Sequence, residues 1–175
     1  TWSVAGLGRA DARLVSQADG RPALGGTPSD ASVTHLIREL KARGLKVTFY
    51  PFVMMDVPPG NALPDPWTGG AGQPAYPWRG RITCDPAPGA PGSVDGTATA
   101  AAQVAALFGT AAPGNFIAGE GGVAYLGVPE WTLRRMVLHY AHLAAAAGGV
   151  DAFVIGSEMR VLTRVRSGAG KYPAV

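Results

Sequence analysis

The sequence predicts an α/β fold, part of a (β/α)8 barrel, and three observations carry that prediction. Two stretches repeat one plan: an amphipathic helix, a glycine, then an apolar strand whose far end turns polar. Neither strand leads into a glycine-rich phosphate loop. Met54-Met55-Asp56 follows the first and Ser157-Glu158-Met159 the second, which favours a barrel over an open doubly wound sheet. Between the two plans lie about 75 residues, far more than an ordinary βα connection uses, so the segment reads as an insertion with structure of its own.

The elements follow in chain order. Residues 1–16 contain a short strand. Thr27 is placed to cap a helix with Pro28 in its first turn and Asp30 at the third position. Val33, Leu36, Ile37 and Leu40 then fall at helical spacing on one buried stripe, Lys41 and Arg43 suit the negative helix end, and Gly44 supplies the stop. A strand is expected over Leu45 to Val53. Asp56 to Gly96 is rich in Pro and Gly and is expected to form an irregular lid. Thr97 to Phe108 reads as a helix with Val104, Leu107 and Phe108 on its packed side. Asn115 to Leu126 reads as a hairpin turning at Glu120, Gly121 and Gly122. Pro129 and Glu130 open the last helix, whose buried face is Leu133, Met136, Val137, Tyr140, Leu143 and Ala144, and Gly148 and Gly149 close it. Val150 to Gly156 is nearly continuous apolar sequence, as a strand covered on both faces would be.

Two parallel strands cannot complete a sheet, so residues 1–175 are expected to be a fragment of one barrel-like domain, with 56–128 as the inserted lid. Thr1 to Arg13 lacks the basic start and apolar core of a signal peptide, and the chain begins without Met, so Thr1 reads as an internal cut.

Composition narrows the function classes. A hydrophobic content of 47% over 175 residues suits one domain with a sizeable core. No apolar run approaches the roughly 20 residues of a membrane helix. The net charge is +3, with Lys and Arg scattered instead of clustering with aromatics, so no nucleic-acid contact is inferred. One cysteine, Cys84, can form neither an internal disulfide nor a cysteine-based metal site and reads as a buried inert thiol. Met54 and Met55 read as gap fillers under the lid. His139 and His142, three apart, are expected on the polar face of their helix with no carboxylate nearby, and neither a metal nor a cofactor is expected.

In barrels, chemistry collects at the carboxyl ends of the strands, and Glu158 follows the second strand. A carboxyl group there could donate a proton to a departing sugar oxygen; equally, it could salt-bridge a neighbour such as Arg160 or cap the next segment.

Resemblance adds to this reading. The runs Val150-Asp-Ala-Phe-Val-Ile-Gly-Ser-Glu-Met159, Gly44-Leu-Lys-Val-Thr-Phe-Tyr-Pro-Phe-Val53 and Trp78-Arg-Gly-Arg-Ile82 resemble, in order, segments of the β-mannanase-like retaining glycoside hydrolases. That resemblance implies a TIM barrel represented here by about strands 2–4, with Glu158, after the fourth, as the acid/base. The nucleophile would follow the seventh strand, beyond this chain. Tyr50 and Phe52 stand where those hydrolases tend to carry Lys and His, which reduces polar contact with substrate.

Almost the whole chain also resembles the glycoside-hydrolase/TIM-barrel-like domain of the large tail-tip protein of alphaproteobacterial gene transfer agents and related phage tails. The phrases that carry this are Gly26-Thr-Pro-Ser-Asp-Ala-Ser-Val33, Pro74-Ala-Tyr-Pro-Trp-Arg-Gly-Arg-Ile-Thr-Cys84, Arg134-Arg-Met-Val-Leu-His-Tyr-Ala-His142 and Phe153-Val-Ile-Gly-Ser-Glu-Met-Arg160. The resemblance implies a protein made in the cytoplasm and assembled into the tail of a virus-like particle, oligomeric there beside other tail or baseplate proteins. It would act at the bacterial cell envelope, either cleaving a glycan by a retaining mechanism or serving as a catalytically inactive structural or glycan-binding module. Tyr50, Phe52, Trp67, Tyr76 and Trp78 could stack on sugar rings or pack the lid, and Arg79 and Asp56 could bind substrate or tie the long loop down.

Overall fold

Gly44, Pro51, Gly148 and the many prolines between residues 57 and 92 cut the chain into short elements. A computed structural model describes residues 28–175 together with two strands before them. In order the elements are β1 (Trp2–Ala5), β2 (Arg13–Leu14), α1 (Asp30–Ala42), β3 (Thr48–Phe49), β4 (Val53–Met55), α2 (Ala98–Phe108), β5 (Phe116–Gly119), β6 (Gly122–Tyr125), α3 (Leu133–Ala146) and β7 (Ala152–Phe153). They are distributed over two units, one comprising residues 1–53 and 109–156 and the other 54–108 and 157–175. The division therefore runs through the 56–128 segment.

In the first unit, β1 and β2 pair antiparallel, consistent with a strand in residues 1–16. Thr27 lies outside the described residues, and the cap of α1 is Ser29, whose Oγ accepts the Ser32 N–H at 3.1 Å. Asp30 is accordingly the first helical residue, not the third. Val33 and Ile37 are buried and Leu40 packs beside them, but Leu36 is 57% exposed and leaves the expected stripe. With about 100° of rotation per residue, Leu36 lies about 100° from Ile37, beyond the edge of the buried arc. Gly44 ends the helix at φ +73°, where a side chain would be strained.

The expected strand over 45–53 is broken. Pro51 has no N–H to give to a ladder, so β3 and β4 are separate. The second expected strand, 150–156, shrinks to Ala152–Phe153, and Ile155 beyond it is 70% exposed, so among the described residues it is not a segment covered on both faces. The orientation holds: β3 and β7 run parallel, Thr48 opposite Ala152 and Phe49 opposite Phe153. The Asp151 carboxylate extends the ladder by accepting the Val47 N–H at 2.8 Å.

Helices α1 and α3 supply the core of this unit through Val33, Ile37, Met136, Tyr140 and Leu143. Phe49 meets Tyr140 and Phe153 edge-on at 5.5 and 5.7 Å, a favourable aromatic geometry. Lys41 donates to the carbonyls of Gly148 and Gly149 at 2.7 and 3.0 Å, so α1 closes the end of α3 with a positive charge.

Helix α3 starts one turn later than Pro129 and Glu130 suggest, with Thr132 as its cap. Glu130 is used otherwise: its carboxylate accepts from the Thr110 and Ala111 N–H groups and from both the Thr110 and Thr132 hydroxyls. The hairpin β5–β6 pairs Phe116 with Tyr125 and turns at residues 120–121, as the sequence predicts.

In the second unit, α2 buries Ala100 and Val104 against Cys84, Leu162 and Val165. Asp95 accepts from Arg166 through the backbone N–H at 2.7 Å and the guanidinium at 2.6 and 3.0 Å, tying the loop before α2 to the last residues of the chain. Met54 is 42% exposed and is not the buried gap filler expected of it. The described residues thus form an α/β structure of small sheets with no closed barrel, and the parallel β3–β7 pair with its two helices is the part compatible with one.

Candidate functional site

Glu158 follows β7 by five residues and belongs to the second unit. Its backbone is left-handed, with φ +56°, a conformation that costs a side-chain-bearing residue about 1–2 kcal/mol. Residues held this way are concentrated where an unusual side-chain direction is needed.

Two consecutive residues, Trp78 and Arg79, hold the Glu158 side chain. The Trp78 indole Nε1 donates to Oε2 at 2.7 Å, and an Arg79 guanidinium nitrogen lies 2.9 Å from the same oxygen. Through Nε, Arg79 also donates to the Ser157 carbonyl at 3.3 Å, so it engages the residue on either side of the 157–158 peptide. The Arg79 side chain is 11% exposed and that of Glu158 51%, so a shielded cation supports a carboxylate that solvent reaches.

Residues 79–81 form one turn of 3-10 helix, and Gly80 is buried within it. A Cβ on Gly80 would fall 2.4 to 2.5 Å from three atoms of the six-membered ring of Trp78. The indole therefore lies directly against the glycine backbone. Neither Gly80 nor Ser157 stands out in the sequence as a site residue; the only signal for them is their place inside Trp78-Arg-Gly-Arg-Ile82 and Gly-Ser-Glu158.

Tyr76 is exposed and, like Glu158, left-handed, with φ +45°. Asp56 is partly buried, and the carboxylate that Arg79 holds is that of Glu158. In this ion pair the cation is Arg79, not Arg160, and the carboxylate is Glu158, not Asp56. Tyr50 lies in the first unit, its ring 5.4 Å from that of Phe52. Trp67 donates from Nε1 to the Arg81 carbonyl at 3.3 Å, and the Arg81 guanidinium lies over its ring while pairing with buried Asp65, so these residues fasten their own loop.

The two histidines depart from expectation. His139 is largely buried, with Nε2 2.9 Å from Asp30 Oδ1, so a carboxylate does stand beside it. Asp30 Oδ2 accepts the Val123 N–H at 2.8 Å. Burial opposes ionisation of Asp30, but the His139 and Val123 hydrogen bonds and the charge of His139 together outweigh it, and the carboxyl titrates below its ordinary range. His142 stacks on Phe116 at 5.2 Å. Among the described residues no three His, Cys, Asp or Glu side chains gather as a metal site. Cys84 is buried among apolar neighbours, which pushes its thiol up, as suits an inert group.

A family model described as the GTA TIM-barrel-like domain matches residues 131–175, a span that covers α3, β7 and Glu158. No curated protein and no solved structure matches the chain.

Proposed function

We propose that this chain is part of a TIM-barrel-like domain of a gene transfer agent tail-tip protein, and that Glu158 acts there as the acid/base of a retaining hydrolase of an envelope glycan. The observation that carries the proposal is the Glu158 carboxylate. It is half exposed, set by a left-handed backbone and gripped on one oxygen by Trp78 and Arg79. The family match over residues 131–175 supports the gene transfer agent association.

In such a reaction the carboxyl first gives its proton to the departing glycosidic oxygen while a second carboxylate bonds to the anomeric carbon. It then takes a proton from the water that releases the sugar. In the glycoside hydrolases that the sequence resembles, that second carboxylate follows the seventh strand of the barrel. Tyr76, which is exposed, supplies apolar ring surface suited to the less polar face of a pyranose.

The ion pair favours a second reading. A guanidinium at 2.9 Å already engages the carboxylate, as in a module that binds glycan without cleaving it. The test uses the full-length tail protein on peptidoglycan and β-linked oligosaccharides, with calorimetry beside turnover. Turnover lost in Glu158→Gln with binding retained supports the hydrolase. Binding without turnover in the wild type supports the module, and neither binding nor turnover contradicts both.

A further inference from the structure

We infer that Trp78, Arg79 and Gly80 are positioning residues, which commit Oε2 of Glu158 to holding the carboxylate in place and leave Oε1 as the oxygen that exchanges the proton. The inference rests on the acid/base reading of Glu158 and assigns these three residues a role other than contact with sugar.

The argument rests on which oxygen of the carboxylate is contacted. Oε2 accepts the Trp78 indole N–H at 2.7 Å and lies 2.9 Å from an Arg79 guanidinium nitrogen in an ion pair, so both contacts to the carboxylate fall on this one oxygen. Oε1 has no partner among the described residues, so the proton that moves during reaction resides there. The two groups come from adjacent residues and converge on one atom, which fixes the rotation of the carboxylate plane as well as its location.

Arg79 contributes a second constraint. Its Nε bond to the Ser157 carbonyl secures the peptide that enters the left-handed residue, so one largely buried side chain sets both the backbone and the carboxylate. Gly80 contributes by what it lacks: any Cβ would push into the Trp78 ring and move Nε1 away from Oε2. Because the indole N–H is spent on Glu158, loss of that N–H and loss of the ring have separable consequences.

The test has a structural arm and a kinetic arm, both on the full-length protein. In nitrogen-15 spectra the Trp78 indole N–H is identified by its disappearance in Trp78→Phe. A carboxylate acceptor holds that proton downfield, so Glu158→Ala and Gly80→Ala are each expected to move it upfield. An unmoved resonance in both variants overturns the inference, whether or not the protein has activity. In the kinetic arm, Trp78→Phe keeps an aromatic face but removes the donor and is expected to lower kcat about tenfold or more with KM within about twofold. Arg79→Lys is expected to retain more kcat than Arg79→Ala. A raised KM with unchanged kcat in Trp78→Phe would instead make Trp78 a sugar-stacking residue and overturn its positioning role. If the wild type shows no turnover, the acid/base reading fails and takes the Oε1 assignment with it, while the indole resonance still decides whether these residues position the carboxylate.

Discussion

Arg79 bonds Glu158 and the residue before it at once, 2.9 Å from the Glu158 carboxylate and 3.3 Å from the Ser157 carbonyl. Truncating it leaves the carbonyl without this donor and the left-handed Glu158 without its brace. Arg79→Ala is expected to destabilise the protein by about 1–3 kcal/mol, read from the urea unfolding midpoint. Arg160→Ala, which removes an exposed side chain, is the control and should stay within about 0.5 kcal/mol of wild type.

Tyr76 offers the opposite sign. Its φ of +45° is one that glycine adopts without strain, its side chain is exposed, and the bond it makes to the Val57 carbonyl comes from its backbone N–H. Tyr76→Gly is expected to stabilise the fold by up to about 1 kcal/mol while weakening binding of oligosaccharides. A higher melting temperature with reduced calorimetric affinity is the paired result that checks it.

Acid stability should depend on Asp30. Its carboxyl titrates below the ordinary value, so the folded state binds fewer protons there than the unfolded chain. That contribution is complete above the unfolded carboxyl value, near pH 4, and is lost as pH falls through the lower folded value. Glu130 and Asp95 shift in the same direction: Glu130 because four hydrogen bonds outweigh its burial, Asp95 chiefly because Arg166 binds it. Asp30→Asn should therefore flatten, without abolishing, the fall of unfolding free energy between about pH 5 and pH 2, measured by urea titration at each pH.

Cys84 should be silent until the second unit opens. It is 1% exposed and its thiol is pushed up by burial, so a thiol reagent is expected to label it only at denaturant concentrations that unfold the protein. Rapid labelling under native conditions would contradict its place in the cluster with Val104 and Val165.

Local pattern made much of this fold legible. Helical periodicity located α1, α2 and α3, paired glycines located the β5–β6 turn, and the repeated helix-glycine-strand plan anticipated that β3 and β7 run parallel, though not that they pair directly. What escaped depends on three dimensions. Leu36 fits the stripe by spacing, yet which edge of the arc is buried is decided by the partner helix. Residues 150–156 are apolar enough for a covered strand, but composition does not report whether other strands flank it. For the site, the sequence brought forward Glu158, Trp78 and Arg79 but assigned them separate tasks. That an indole N–H and a guanidinium converge on one oxygen, and that Gly80 clears space for the indole, follows from a distance between residues 80 positions apart. His139 looked solvent-facing because Asp30, its partner, is 109 positions away.

The central claim is that Glu158 exchanges protons with a glycan. The decisive measurement is the anomeric configuration and rate of the first product released from a β-linked glycan by the full-length protein, wild type against Glu158→Gln, followed by proton NMR. The account predicts a β-configured first product and a fall in rate of about 10²- to 10⁴-fold in the variant. An α-configured first product, or equal rates in the two proteins, would contradict it.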